Sequence, residues 1–115
     1  MAKVEIVHSL FEEIKKKFKG ESHKIIDLME SLEKNPIKGK LLGSVGGIVI
    51  KELKYKSFRF YFVTDGYKLK FFDEQNLADM LIQFVRMSDK KHQQQTINKI
   101  RKILLHFGSS GFEEI

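Results

Sequence analysis

The sequence contains no cysteine, a single proline and no long run of apolar residues. Without cysteine, disulfide bonds, thiolate metal ligands and a cysteine nucleophile are all excluded. No apolar run approaches the roughly 18 residues that a transmembrane helix needs. The N-terminal segment MAKVEIVHSL also lacks the long apolar core and the cleavage site of a signal peptide. We therefore expect a cytoplasmic protein that does not contact a membrane.

The composition is typical of one globular domain. The chain has 115 residues, of which 42% are hydrophobic and 31% are charged. That length is sufficient for a single hydrophobic core. We place the domain at residues 1–108 and expect residues 109–115 to form a loose C-terminal tail.

The net charge of +6 is confined to two blocks of the sequence. Residues 38–70 carry eight Lys or Arg against two acidic residues, and residues 86–108 carry six against one, whereas residues 1–37 are neutral overall. A solvated surface more often mixes its signs of charge. Two basic blocks that fold side by side would make a face that binds a polyanion such as RNA.

The pattern of apolar residues predicts an α+β fold. A short strand at 3–8 precedes two helices, for which Ser9 and Ser22 are the predicted N-caps and Pro36 the stop signal. Four glycines between residues 37 and 47 predict a loop. Strands are predicted at 48–55, 58–64 and 67–72, with Asp65-Gly66 as a hairpin turn. Residues 77–87 fit a strand or a helix, and a last helix ends at Gly108.

The expected architecture is two N-terminal helices packed on an antiparallel sheet of about four strands, plus a C-terminal helix. In the strand at 58–64, the phenylalanines at every second position should meet the helices. The residues between them should lie on an open face of the sheet, together with polar residues of the preceding strand. This face is predicted to contain Glu52, Lys54, Arg59 and Tyr61. Cations beside aromatic rings can contact both phosphates and bases.

Motifs of the common hydrolases are missing. The four histidines lie far apart, so no metal site and no cofactor are predicted. There is no Gly-x-Ser-x-Gly motif, and the glycine-rich loop lacks the P-loop pattern. The remaining candidate is the segment FVRMSDKKHQQQ at residues 84–95, which places basic groups before the last helix. The free amides at a helix start can bind an anion.

Four short motifs occur in order: NP-x-x-GK-x-L, KELK, FRFYF, and FVRMSDKK followed by a lysine-rich helix. This order resembles the RelE/ParE toxin superfamily, and most closely its HigB-like and phage-derived relatives. The resemblance covers roughly residues 3–105. It implies two N-terminal helices on an antiparallel sheet. Members similar to RelE are ribosome-dependent mRNA endoribonucleases of type II toxin–antitoxin systems.

In such enzymes a ribose 2′-hydroxyl attacks the adjacent phosphodiester, and cations stabilise the negative charge that develops. The resemblance implies a catalytic set of five cations and one histidine: Lys54, Arg59, Arg86, Lys90, Lys91 and His92. In this set His92 would transfer a proton. The predicted RNA-binding residues are Lys51 and Lys56, which are cations set among the aromatic residues of the two strands, and Tyr61, whose ring the resemblance implies to stack on a base. The implied partners are RNA with the ribosome and a cognate antitoxin. A second copy of the chain, in a homodimer, is an additional candidate partner.

The chain departs from the family pattern in three places. Lys54 stands where arginine is usual, which removes a bidentate contact. Arg86-Met87 replaces a Lys-Lys pair, and a short insertion precedes the last motif. Three alternatives therefore stay open: a non-catalytic module that binds nucleic acid or protein on the same fold, a ParE-like gyrase inhibitor, and a structural or dimerising protein.

Overall fold

A five-stranded mixed sheet forms the centre of the computed structural model, which describes residues 2–70 and 80–112. The strands are β1 (Lys3–Ile6), β2 (Lys40–Val45), β3 (Ile48–Tyr55), β4 (Phe58–Asp65) and β5 (Leu81–Asp89), in the order β1-β5-β4-β3-β2. The helices are α1 (His8–Phe18), α2 (Ser22–Glu30), α3 (Gly66–Lys70) and α4 (Gln93–Phe107). Short 3-10 turns lie at Lys19–Glu21, Ser31–Glu33 and Gly108–Phe112. The predicted α+β class is confirmed.

The sheet differs from the prediction in strand count and in direction. It has five strands, and β1 runs parallel to β5, whereas the other neighbours are antiparallel. β1 and β5 can run parallel because a long connection separates them. The chain passes through α1, α2 and the strands β2 to β4 before it forms β5 beside β1. Backbone hydrogen bonds extend this pairing, since the amide of Lys3 donates to the Met80 carbonyl at 2.8 Å. The predicted wholly antiparallel sheet is therefore wrong.

Helices α1 and α2 bury one apolar stripe each, as predicted. Leu10 and Ile14 of α1 are buried, as are Ile25 and Met29 of α2. The predicted caps are not confirmed, because neither helix has a side-chain cap at its N-cap residue. The hydroxyl of Ser22 donates instead to the Lys19 carbonyl at 2.8 Å.

Two segments have a different structure from the one their sequence predicts. The glycine-rich segment expected to be a loop contains the edge strand β2, with Gly43 paired to Ile50. The expected strand at 67–72 begins as helix α3, and its last two residues lie outside the described part of the chain. The carboxylate of Asp65 accepts hydrogen bonds from the amides of Tyr67 and Lys68, at 2.9 and 3.3 Å. Such capping stabilises a helix start, so it overrides the strand-like alternation that follows.

The ambiguous segment at 77–87 resolves as a strand from residue 81 onward, and residues 77–79 lie outside the described ranges. β5 is buried along most of its length. A strand buried on both faces reads as a continuous apolar run, which periodicity alone does not distinguish from a helix.

The phenylalanines of β4 face the N-terminal helices, as predicted. The ring of Phe18 in α1 lies 5.1 Å from that of Phe58 with an interplanar angle of 88°, and it also contacts Phe60. Edge-to-face pairs of this kind add to the stabilisation from burial. Phe62 packs on Phe84 of β5, with 4.8 Å between ring centroids.

The opposite face of the sheet is covered by α4, which corrects the expected open face. α4 buries its stripe of Ile97, Ile100 and Leu104. Its first residue, Gln93, contacts Glu52 of β3 at 3.5 Å. Arg101 donates to the Leu42 carbonyl of β2 at 3.4 Å. The sheet therefore lies between α1 and α2 on one side and α4 on the other.

The C-terminal tail is not loose as far as residue 112. The 3-10 turn at Gly108–Phe112 follows α4, and Phe112 is 2% exposed. The guanidinium of Arg86 lies 5.6 Å from the Phe112 ring, in cation–π geometry. Residues 113–115 lie outside the described ranges. Among the described helices, none is both long and apolar enough to cross a membrane.

Replacing Gly39 by Ala should lower the free energy of unfolding by about 3 kcal/mol, since the site is both strained and crowded. Gly39 has φ +107°, and an added Cβ would lie 2.9 Å from the Phe62 ring. Urea denaturation measures the effect. The matched control is Gly20→Ala, because no atom lies within 4 Å of the added Cβ there. Equal effects of the two substitutions would show that the packing around Gly39 is assigned wrongly.

Candidate nucleic-acid interface

Three polar residues lie side by side at one end of the neighbouring strands β3, β4 and β5. Lys54 of β3 is paired with Arg59 of β4, and Arg59 is paired with Ser88 of β5. Directly paired residues of neighbouring strands share one face. We call this set the polar row. Asp89 to His92 follow the row directly, so the two basic blocks of the sequence meet at this end of the sheet.

The segment after the row is held by one carboxylate. Asp89 accepts a hydrogen bond from the His92 amide at 2.9 Å, and its same oxygen lies 2.8 Å from the Nδ1 atom of His92. This contact with His92 lowers the pKa of Asp89. A carboxylate acceptor favours the tautomer with the proton on Nδ1. The Nε2 atom is then the basic nitrogen of an exposed imidazole.

Arg59 is the most buried cation of the polar row, with 9% of its surface exposed. Its Nη1 atom donates to the Ser57 carbonyl at 3.2 Å. Its Nε atom is buried and has no hydrogen-bond partner among the described residues. A buried donor without an acceptor costs free energy, so this guanidinium is suited to receive an oxygen ligand.

Tyr61 is fully buried, so the prediction that it lies on an open face of the sheet is wrong. The hydroxyl of Tyr61 lies 2.7 Å from the hydroxyl of Ser88. Burial raises the pKa of Tyr61. The ring lies beneath α4 and cannot stack on a base in this arrangement. Tyr61 instead fixes the position of Ser88 next to Arg59.

Lys51 and Lys56, the other expected RNA-binding residues, are both engaged within the protein. Lys51 is 4% exposed, and its Nζ atom donates to the Ile37 carbonyl at 2.9 Å. Burial lowers the pKa of this ammonium. Lys56 is exposed but forms an ion pair with Glu21 at 2.7 Å, and this contact raises the pKa of Lys56 and lowers that of Glu21.

The structure divides the expected catalytic set into two parts. Lys54 and Arg59 belong to the polar row, and Lys90, Lys91 and His92 are exposed in the segment that follows it. Arg86 is paired with Tyr61 on the same face of the sheet, close to the pair of Arg59 and Ser88, but its side chain contacts other groups. It donates to the Val85 carbonyl at 2.6 Å and lines a groove of about 270 Å³ with Lys99, Lys102 and His106.

Sequence reasoning missed the role of Asp89 and the coverage of the face by α4. In the sequence, Ser88 and Asp89 are typical of the cap and first turn of the last helix, where Ser88 adds anion-binding capacity. The spacing of Asp89 and His92, three residues apart beside a helix start, is the signal that could have revealed their contact. In residues 2–70 and 80–112, no group of three His, Asp or Glu side chains is placed to hold a metal ion.

No protein family, curated protein or solved structure matches this chain. The resemblance to the RelE/ParE superfamily therefore rests on the order of its four motifs and stays a prediction. The position of the basic residues is an independent observation, because it follows from strand register and not from the motifs.

Replacing Lys51 by Met should change how stability depends on pH. Because the folded protein lowers the pKa of Lys51, the unfolded chain binds more protons between that lowered pKa and the ordinary value of about 10.4. The stability of the wild type relative to Lys51→Met should thus be lowest below this window and rise with pH through it. Urea denaturation of both proteins between about pH 7 and pH 10 measures the difference.

The control for that experiment is Lys54→Met, which removes an exposed ammonium from the same strand. It measures the change in stability that the loss of one positive charge from this strand produces by itself. A stability difference between wild type and Lys51→Met that is constant with pH would contradict the assignment of Lys51 as a buried charge.

Proposed function

We propose that this protein is a RelE-like toxin of a type II toxin–antitoxin pair, a ribosome-dependent endoribonuclease that cleaves mRNA. The observation that carries the proposal is the polar row of Lys54, Arg59 and Ser88 beside the segment with His92. RNA cleavage by a 2′-hydroxyl needs a base, cations and correct positioning, and it needs no metal ion. This end of the sheet offers each of these elements.

Phosphate binding is assigned to Lys54 and Arg59. The Nε atom of Arg59 is a buried donor without an acceptor, and a phosphate oxygen would provide one. Lys54 is exposed directly beside it. Hydrogen bonds between a guanidinium and a phosphate are charge-assisted and stronger than neutral ones. Entry of the phosphate requires a small displacement of the Arg59 side chain, because this side chain is mostly buried.

The proton transfer is assigned to His92. Its Nε2 atom would accept the proton of the ribose 2′-hydroxyl, while Asp89 holds the ring through Nδ1. The 2′-oxygen then forms a bond to phosphorus, the bond from phosphorus to the 5′-oxygen breaks, and the 5′-oxygen takes a proton from water. The products are a 2′,3′-cyclic phosphate and a 5′-hydroxyl. Lys90 and Lys91 would stabilise the charge on the phosphorane.

Arg86 receives no role at the scissile phosphate in this proposal. Its guanidinium lies over the Phe112 ring, in the groove along α4. The ribosome and a cognate antitoxin are the partners that the proposal requires.

Replacing His92 by Gln should lower cleavage about 100-fold or more, since general acid–base catalysis contributes this much. Arg59→Ala and Lys91→Ala should abolish cleavage, because they remove charge from the phosphate site. Cleavage of mRNA in a translating ribosome extract and growth arrest on expression are the two measurements. Thermal unfolding of each variant confirms that it is folded. Lys16→Ala, an exposed lysine of α1, is the control and should stay active.

Three outcomes of this experiment would contradict the proposal at different levels. A wild-type protein that neither cleaves ribosome-bound mRNA nor arrests growth overturns the toxin function. Full activity in both Arg59→Ala and Lys91→Ala overturns the site assignment alone. Activity lost in Lys16→Ala to the same extent would show that net charge, and not the site, determines the result.

A second candidate is a non-catalytic module that binds RNA. The observation in its favour is the engagement of two expected catalytic residues within the protein, since the Arg86 guanidinium lies over the Phe112 ring and Arg59 is mostly buried. In this case the exposed lysines would bind phosphates without supporting cleavage.

For either function, Lys54→Met should weaken RNA binding and reduce its salt dependence, whereas Lys51→Met should leave both unchanged. Each phosphate contact with single-stranded nucleic acid contributes about 0.7 to the slope of log affinity against log salt. Fluorescence anisotropy with a labelled single-stranded RNA at several salt concentrations measures this slope. Binding without cleavage favours the module, and an equal loss in Lys51→Met would contradict its assignment as a structural residue.

A further inference from the structure

A groove of about 270 Å³ runs along the C-terminal half of α4, on the side where the Arg86 side chain of β5 lies. Ile103 and Phe107 form its apolar part, and 68% of the surface of Phe107 is exposed. An apolar surface that is rimmed by polar groups is typical of a binding site. The volume is below the range of about 300–1,000 Å³ that whole small ligands occupy, so the groove suits an inserted side chain.

The turn after α4 holds both sides of the groove in place. Gly111 packs on α4, since an added Cβ there would lie 2.6 Å from the Cγ2 atom of Ile103 and 2.8 Å from the Cβ atom of Phe107. Phe112 is 2% exposed, and the Arg86 guanidinium lies 5.6 Å from its ring. A groove whose sides are already fixed loses less entropy when a partner binds.

The charged side chains of the groove are all basic. They are Arg86 of β5 and, from α4, Lys99, Lys102 and His106. The sequence of α4, QQQTINKIRKILLHF, contains no Asp or Glu. Within residues 2–70 and 80–112, the ion pairs of the protein involve none of these four residues. Unpaired cations beside an apolar surface complement a partner that carries carboxylates, and such complementarity favours specific association.

The lining residues of α4 follow two ridges of the helix surface. Lys99, Ile103 and Phe107 are spaced four residues apart and form one ridge, and Lys102 and His106 form the next. A second helix packs on such a surface by placing its side chains between the ridges. The phosphate backbone of RNA would contact the cations, but it has no apolar side chain to place there. The lining therefore favours a protein helix over RNA.

We propose that this groove is the docking site for an acidic amphipathic helix of a partner protein. A large apolar side chain of that helix packs on Ile103 and Phe107, and its carboxylates pair with Lys99 and Lys102. The groove contains none of the residues that are assigned to RNA cleavage. The inference therefore goes beyond the proposed function and does not depend on it.

The test measures fluorescence anisotropy with two labelled peptides of identical composition. Each has about 18 residues, which exceeds the length at which isolated helices become marginal. One peptide has leucines at i, i+4 spacing with glutamates beside them, and the other has the same residues in scrambled order. Wild type should bind the amphipathic peptide about tenfold more tightly than the scrambled one. Phe107→Ala and, separately, Lys99→Gln/Lys102→Gln should each weaken this binding about tenfold, as loss of a central contact does.

Each groove variant has a matched control. Leu105→Ala is the control for Phe107→Ala, since Leu105 is 72% exposed on the same helix. Two residues along a helix correspond to a rotation of about 200°, so this side chain lies on the other side of α4. Lys15→Gln/Lys16→Gln on α1 is the control for the double lysine variant, because it removes the same charge from another surface. Both controls should bind the amphipathic peptide as wild type does.

The outcomes decide between a protein partner and an RNA surface. Equal binding of the two peptides by wild type, or an equal loss in Leu105→Ala and Phe107→Ala, overturns the inference. It is also overturned if the groove variants leave peptide binding unchanged but weaken binding of a labelled oligouridylate. A loss of peptide binding in the groove variants alone, with oligouridylate binding equal to that of the controls, supports the inference whether or not the protein cleaves mRNA.

Discussion

The burial of β4 on both of its faces is the constraint on which the other features depend. On one face its phenylalanines pack against α1, and on the other Tyr61 lies under α4. A strand covered on both sides has a fixed register, because a slip by one residue would place Arg59 among the phenylalanines. The register in turn fixes the pairing of Lys54, Arg59 and Ser88. The proposed site is therefore positioned by the core and not by a mobile loop.

The alternation in β4 could be predicted from the sequence because a strand has a period of two residues. What alternation cannot show is whether the second face is open. Glu52, Arg59 and Tyr61 are polar or amphipathic, and they resemble an exposed surface. The apolar stripe of α4, Ile97 to Leu104, was visible in the sequence and required a surface to cover. α4 covers this face of the sheet with its apolar stripe. Beneath it, Tyr61 is hydrogen-bonded to Ser88, and Glu52 contacts Gln93.

Local chemistry explains the other errors. Asp65 was interpreted as part of a hairpin turn, but its carboxylate caps α3. Glycines near residue 43 indicated a loop, although an edge strand tolerates glycine where another backbone or side chain approaches closely. Lys51 is predicted to bind RNA, which requires an exposed ammonium. Its alternation with Leu53 and Tyr55 nevertheless placed it on the phenylalanine face, where the Ile37 carbonyl binds its ammonium.

The parallel pairing of β1 with β5 has a consequence for the synthesis of the chain. Lys3 pairs with Leu81, so β1 has no partner until β5, which comes after all the other strands, has been translated. Contacts between residues so distant in sequence form late in folding. The polar row needs β5 as well, because Ser88 belongs to it. A chain that has been translated only as far as β4 therefore lacks both the completed sheet and the proposed site.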